Sequence, residues 1–398
     1  MKRFAYLTPL LVAAACTQSP QQKIVISNPS DFQRKQVVSV DVSEKAWPAT
    51  GKEIQNADGT IVPSEWIDAN GDGLTDELKL VAEVKAGVSL ELIVSESSGG
   101  EPVKMTQAEI SVKEGGAWQG QKYIGGEFVN QTKVTVPESH TDHSYWIRYE
   151  GPGWESDMVA YRSYLDWRNG VDIFGKTTSD MVLQNVGQDG FDSYHVLSDW
   201  GMDVLKVGYS LGMGAIGRFQ NDSLYRFQNM AGMSCEITKN GNLESVITTK
   251  YDSWVTEEDT VSLVSKLSIQ AASRVTKHEV AFDQPLTGFC TGLVRSKDEE
   301  YIQLEEGDYL AIATHGKYSL NGDNLGMAVL AKKEDIASQA EPDHSHVLVF
   351  KPAESVTYYF LAAWELEPNG VKDVETFKKY LSQELIKLNT SLNVSLPQ

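Results

Sequence analysis

The strongest constraint on this chain is a series of alternating runs in its second half: LESVITTKYDSWV, DTVSLVSKLSIQ, SRVTKHEVAF, YLAIATHGKYSL, NLGMAVLAKK, HVLVFKPA and VTYYFLAAWEL. Each sets apolar side chains at alternate positions over roughly six to ten residues, as a half-buried strand requires. With almost no helical periodicity between them, the runs predict a large antiparallel sandwich. The first part repeats the pattern on a smaller scale in IVISNP, VVSVDVS, DELKLVAEV and SLELIVSES. The expected organisation is therefore mainly β, with a small N-terminal β-sandwich over residues 23–115 and a large one over residues 130–398. The Gly-rich KEGGAWQGQKYIGGEF reads as the junction between them. A single amphipathic segment, residues 373–388, spaces Val374, Phe377, Leu381 and Leu385 as one face of a C-terminal helix packed on the sheet.

The 398 residues exceed one ordinary domain, in keeping with two β units. A formal net charge of −20 repels phosphate backbones and argues against nucleic acid as a partner. Residues 1–16, MKRFAYLTPLLVAAAC, join a basic start, a short apolar run and small residues before a cysteine. They look like a bacterial lipoprotein signal, with Cys16 the lipidated first residue of the mature chain. Ala13 stands where Leu is usual, and a cleaved secretory signal with an incidental Cys is the alternative. The run is too short for a permanent span. Thr17, where Asp would favour inner-membrane retention, points to the outer membrane, and residues 17–22 (TQSPQQ) form a polar tether. Cys235 and Cys290 remain, as one disulfide or as two half-buried thiols.

The densest chemistry lies in residues 151–176, GPGWESDMVAYRSYLDWRNGVDIFGK. Asn169-Gly170 suits a two-residue hairpin turn, so residues 159–168 and 171–176 are expected to pair as antiparallel strands. Alternation puts Arg162, Tyr164, Asp166 and Arg168 on one face and Tyr161, Leu165 and Trp167 on the other. A helix with an Arg162–Asp166 pair is the competing reading. The polar face is either a solvated sheet surface or, given its Arg, Tyr and Trp content, a recognition surface.

A second cluster, DSYHVLSDWGMDVLK, gathers Tyr194, His195, Trp200, Asp203 and Lys206. His195, among aromatic and acidic neighbours, is the prime titrating candidate, and His315 a secondary one. His140 and His143 (HTDH) have a spacing that suits a metal but no nominated third ligand. His344 and His346 read as solvated. In SEWIDANGDGLTDELKL, Asp68, Asn70, Asp72 and Asp76 follow a calcium-loop spacing, but Lys79 occupies the position of the bidentate Glu. A structural Ca²⁺ at that turn competes with an Asp-rich turn held by side-chain to backbone bonds. No other cofactor is expected. Motifs of serine, zinc and thiol hydrolases are missing, and Glu155 with Asp157 stand too close for a glycosidase pair.

This inventory suits β-elimination from a uronic acid, which needs a cation on the sugar carboxylate, a base and an acid. Arg162 or Arg168 would clamp the carboxylate, His195 act as base, and Tyr164 or Tyr161 as acid, with Lys206 in reserve. Trp154, Trp167 and Trp200 would stack on sugar faces, and Glu155, Asp157, Asp166, Tyr194, Asp203 and His315 would complete the binding surface.

Four stretches, VPSEWIDANGDGLTDEL, GPGWESDMVAYRSYLDWRNGVDIFGK, YHVLSDWGMDVLKVG and VTYYFLAAWE, resemble an uncharacterised-domain family of bacterial lipoproteins from polysaccharide-utilisation gene clusters. The resemblance covers residues 24–394 and implies a galactose-mutarotase-like β-sandwich. It also implies action on uronate-containing oligosaccharides, with oligosaccharide dehydratase activity. The expectation is a carbon–oxygen lyase lipid-anchored to the outer membrane, periplasmic or surface-facing, working beside other polysaccharide-degrading enzymes. Its rivals are a non-catalytic glycan-binding lipoprotein and a mutarotase-type sugar epimerase.

Overall fold

The computed structural model describes residues 22–257 and 259–397. The expected signal, Cys16 and residues 17–21 of the tether lie outside them. Strand Lys23–Ser27 shows how the pattern works: Ile24 and Ile26 are fully buried while their neighbours are half-buried. In one sheet it lies between Asn393–Ser395 and Ser89–Glu96, followed by Lys52–Asn56 and Ile61–Val62. Arg34–Asp41, Glu77–Val84 and Ser64–Ile67 form the facing sheet, and Val38, Val40, Ile54, Leu78, Leu80 and Leu92 fill the core. The last strand of the chain thus closes the first sandwich, with Val25 opposite Ser395.

The larger body opposes a nine-stranded antiparallel sheet to two five-stranded ones. Thr260–Gln270 and Thr276–Leu286, in the nine-stranded sheet, largely alternate buried and accessible residues as expected. Leu325–Lys332 does not; all but its last residue are buried. The reason is the helix Val374–Asn389, whose Phe377, Leu381 and Leu385 cover the second face over Ala311, Ala313, Ala328 and Ala363. The side chain of Asp373 caps this helix, accepting from the Thr376 amide at 2.8 Å. The architecture is mainly β with one C-terminal helix.

Several local expectations change. Strand Thr106–Glu109 already belongs to a five-stranded sheet of the larger body, so the first sandwich ends before residue 115. The supposed junction is structured as two hairpins: Ala117–Gln119 with Lys122–Ile124, and Ser111–Glu114 with Glu127–Asn130. Cys235 and Cys290 are free thiols, fully rather than half buried, and burial pushes both pKa values up, that of Cys235 to about 12. At residues 68–76, Asp68 accepts from the amides of Gly71 (2.6 Å), Asp72 (3.2 Å) and Gly73 (2.8 Å), and Asp76 from Ala69 at 2.7 Å. The exposed turn uses its acids on its own backbone, with Gly71 and Gly73 at positive φ.

Candidate functional site

Strand Ala160–Ser163 pairs with Val171–Lys176, Arg162 opposite Asp172. The strand stops at Ser163, so residues 164–170 form the connection rather than Asn169-Gly170 alone. Asn169 does take the positive φ, 46°, that the dipeptide suggests. Arg162 and Tyr164 share a face, since both reach Asp172. That face is not open to water: Val182, Leu183, Val186 and Tyr194 cover it, leaving Arg162 only 2% exposed. Against this cover lies residues 143–150, where His143, Tyr145, Tyr149 and Glu150 all have φ between 38° and 70°. Left-handed backbone at non-glycine residues costs about 1–3 kcal/mol each and persists only where the surroundings enforce it. Here Arg148 does so, fully buried, ion-paired with Glu109 at 2.6 Å and donating to the Gln184 carbonyl at 2.8 Å.

The two segments bound a cleft of about 180 Å³ lined by His143, Tyr145, Tyr149, Glu150, Phe191 and Tyr194, with Lys113 and Phe128 from the hairpins. His143 packs on Phe191 with ring centroids 4.4 Å apart, and its Nδ1 contacts the Asp142 carboxylate, with Glu150 at 3.8 Å. A carboxylate at Nδ1 holds the proton there and leaves Nε2 as the basic nitrogen. Across Phe191, 5.8 Å between centroids, stands Tyr194, whose hydroxyl accepts from Arg162 Nη1 at 3.0 Å. Burial raises the Tyr194 pKa although Arg162 opposes it. Beneath, Arg162 Nη2 binds Asp172 at 2.7 Å and Asp203 at 2.6 Å, and the Tyr164 hydroxyl donates to Asp172 at 2.6 Å. Burial and the neighbouring Asp172 push the Asp203 carboxyl well above the usual range. Burial would also raise Glu150, but Arg162 and Arg168 outweigh it and hold it at about 2. Asp142, His143 and Glu150 bring their ligand atoms within 4.8 Å of one another, a donor set that could suit a cation. Arg168, however, already engages Asp142 and Glu150 at 2.8 Å each and opposes a metal with its own charge.

A family model described as "Domain of unknown function (DUF4861)" matches residues 26–394. This chain belongs to the DUF4861 family. No curated protein matches it by sequence. Among solved structures, the DUF4861 chain is similar to a protein in glycosyl hydrolase family 38 from Enterococcus faecalis. The TM-score is 0.46 at 10% identity, over 96% of this chain and 48% of that one. An alpha-mannosidase from the same organism gives 0.46 at 9% identity, over 95% and 46%. The chain therefore spans about half the length of these two. A putative aldose 1-epimerase from Klebsiella pneumoniae gives 0.29 at 8% identity, over 61% and 84%.

Within the DUF4861 fold, the residues singled out by sequence separate sharply. Arg162, Tyr164, Asp203 and Tyr194 do come together, and His195 adjoins them: its Nε2 is 3.5 Å from Asp203 and its ring 4.5 Å from that of Tyr194. Nδ1 of His195 lies 3.0 Å from the Phe191 carbonyl, and burial, then Arg162, lower its pKa. Neither Arg162 nor Arg168 is free to clamp a substrate, because the carboxylates of Asp172 and Asp203 and of Asp166, Glu150 and Asp142 engage them. Asp166 is thus a partner of Arg168. Trp154 and Tyr161 face the opposite way, into the core; Trp154 donates to Thr276, and Tyr161 to the Arg274 carbonyl. Glu155 is fully buried, paired with Lys176 at 2.8 Å and accepting from the Val182 and Leu183 amides. Asp157 accepts from the Ala272 amide, Trp167 stacks under Arg226, and Lys206 is exposed. Trp200 packs edge-on against Phe174, half-buried. His315 lies on the other sheet, against Phe377 of the helix. The HTDH pair splits as well: His140 is half-buried against Trp146, while His143 reaches the cleft. His346 is buried against Glu299 rather than solvated. Sequence reasoning missed Asp142, Glu150 and Tyr149, and valued His143 only as half of a metal pair.

Proposed function

We propose that this protein is a carbohydrate-active enzyme that acts on uronate-containing oligosaccharides by β-elimination or dehydration. The observation that carries this reading is a base and an acid on either side of one ring. The Asp142–His143 dyad and the Tyr194 ring both flank Phe191 in the same cleft, and Arg162 holds the buried Tyr194 hydroxyl behind it. His143 Nε2 takes the proton from the carbon next to the sugar carboxylate. The electron pair forms a carbon–carbon double bond as the β carbon–oxygen bond breaks. Tyr194 gives its proton to the departing oxygen, which leaves as water or as a sugar hydroxyl, and Arg162 stabilises the phenolate left behind. Solvent returns the proton from His143 to Tyr194. His195, behind Tyr194, holds that ring in place. In this reading Cys16 anchors the protein to the outer membrane among other polysaccharide-degrading enzymes. Cys16→Ser then moves it from the membrane to the soluble fraction, and an unchanged distribution defeats the anchor.

The test of the chemistry is to incubate the purified chain with saturated and unsaturated uronate oligosaccharides and weigh the products. Loss of one water, or cleavage that leaves a new double bond absorbing in the ultraviolet, is the expected result. Tight retention at unchanged mass indicates a glycan-binding role, and cleavage with water added overturns the mechanism.

A further inference from the structure

We infer that Lys113, on the hairpin strand Ser111–Glu114, receives the anionic group of the substrate. The inference rests on the reading above and names the group that reading lacks, since both nearby arginines are neutralised in place. Among the residues lining the cleft Lys113 is the only lysine or arginine. Its Nζ lies 5.2 Å from the Phe128 ring centroid and, among the described residues, meets no carboxylate within 4.0 Å. Lys122 stands the same way over Tyr145, a residue of the lining, 5.5 Å from its centroid and again with no carboxylate within 4.0 Å among the described residues. An ammonium held over a ring gains less than one in a charge-assisted hydrogen bond. Lys113 is therefore held at the cleft but keeps its donors for an incoming anion. The same lining carries Glu127, Glu150 and Asp189, of which Glu150 is engaged by Arg168, so Lys113 is the group there that can draw in an acidic sugar. The same ammonium serves a uronate carboxylate or a sulfate ester, so the test separates the two.

Binding of the full chain is measured by calorimetry with uronate-terminated tetrasaccharides, their carboxyl-reduced counterparts, and neutral counterparts bearing one sulfate ester. Lys113→Met is expected to weaken the preferred anionic ligand by about tenfold or more. Lys113→Arg should keep affinity within about threefold, and the carboxyl-reduced ligand should lose nothing further in either variant. The anionic ligand that shows this dependence identifies the group recognised. Equal binding of all ligands by wild type and Lys113→Met, or no binding by wild type, overturns the inference. If the Lys113 dependence holds but no water is lost, the recognition stands and the elimination chemistry falls. If water is lost equally by both proteins, the chemistry stands and Lys113 does not recognise the anion.

Discussion

Two acid-rich turns, one in each body, solve the same problem in opposite ways. Residues 68–76 direct Asp68, Asp72 and Asp76 at amides of the same turn and place glycines where φ is positive. Residues 142–150 put His143, Tyr145, Tyr149 and Glu150 in that strained region, and lend their carboxylates to Arg162 on its strand and to Arg168 in the connection that follows. The first turn is self-sufficient and exposed; the second exists only because the larger body enforces it. Acid content alone marks neither. What distinguishes them is backbone strain combined with long-range pairing, and that combination surrounds the cleft.

The sharpest way to break this contrast is to remove the cleft imidazole. His143→Gln is expected to lower kcat of the elimination by about 10²–10⁴, the contribution of a positioned general base, while the urea midpoint stays near that of wild type. A variant that keeps wild-type turnover removes the base from the mechanism. The next largest effect concerns the pairing beneath. Arg162→Met strands Asp172 and Asp203 in the interior and should cost about 3–5 kcal/mol of unfolding free energy. Arg162→Met with Asp172→Asn should recover part of that loss. Equal unfolding free energies for Arg162→Met and wild type would show that the network is not held by charge.

Much of the fold was legible because burial on one face leaves a period of two, as in Thr260–Gln270, and the helix because Phe377, Leu381 and Leu385 share one stripe. Alternation also separated Arg162 from Tyr161 correctly. It could not say that the Arg162 face would be roofed by Val182, Leu183, Val186 and Tyr194, because cover from a distant loop leaves no local period. For the same reason, arginines expected to meet substrate proved to be paired by acids up to forty-one positions away, Asp203 among them. Strain at Tyr149 and Glu150 was invisible, since neither residue type signals positive φ. The HTDH motif was the one available pointer to His143, and treating its histidines as equivalent hid it.

A smaller effect sharpens the comparison through pH. Burial lowers the His140 pKa to about 4, against the opposing pull of Asp166 and Glu150, so its ring is neutral in the fold near neutral pH. The unfolded chain binds that proton near 6.5, so stability is full above this value and falls as pH drops towards 4. The expected slope is about 1.4 kcal/mol per pH unit from this one group. His278, lowered to about 3 by burial, adds in the same direction. Urea midpoints from pH 7 to 4 should therefore decline, and His140→Phe, which keeps an aromatic ring against Trp146, should make that decline shallower. An unchanged slope would place His140 in water.

The smallest effect belongs to the self-sufficient turn, and it tests whether the two acid-rich segments are as different as their backbones. Asp68→Ala removes a carboxylate that accepts from three amides, but water reaches those amides once the acid is gone. Exposed donors lose only the net value of their bonds, so the cost should be about 1–2 kcal/mol, confined to the first sandwich. Because the last strand, Asn393–Ser395, closes that sandwich, slackening there should appear as faster amide exchange in Lys23–Ser27 and its terminal partner. Turnover should stay within about twofold of wild type, since nothing from this turn reaches the cleft. A large loss of activity in Asp68→Ala would mean that the two bodies are coupled, and that strain alone does not mark where the chemistry sits.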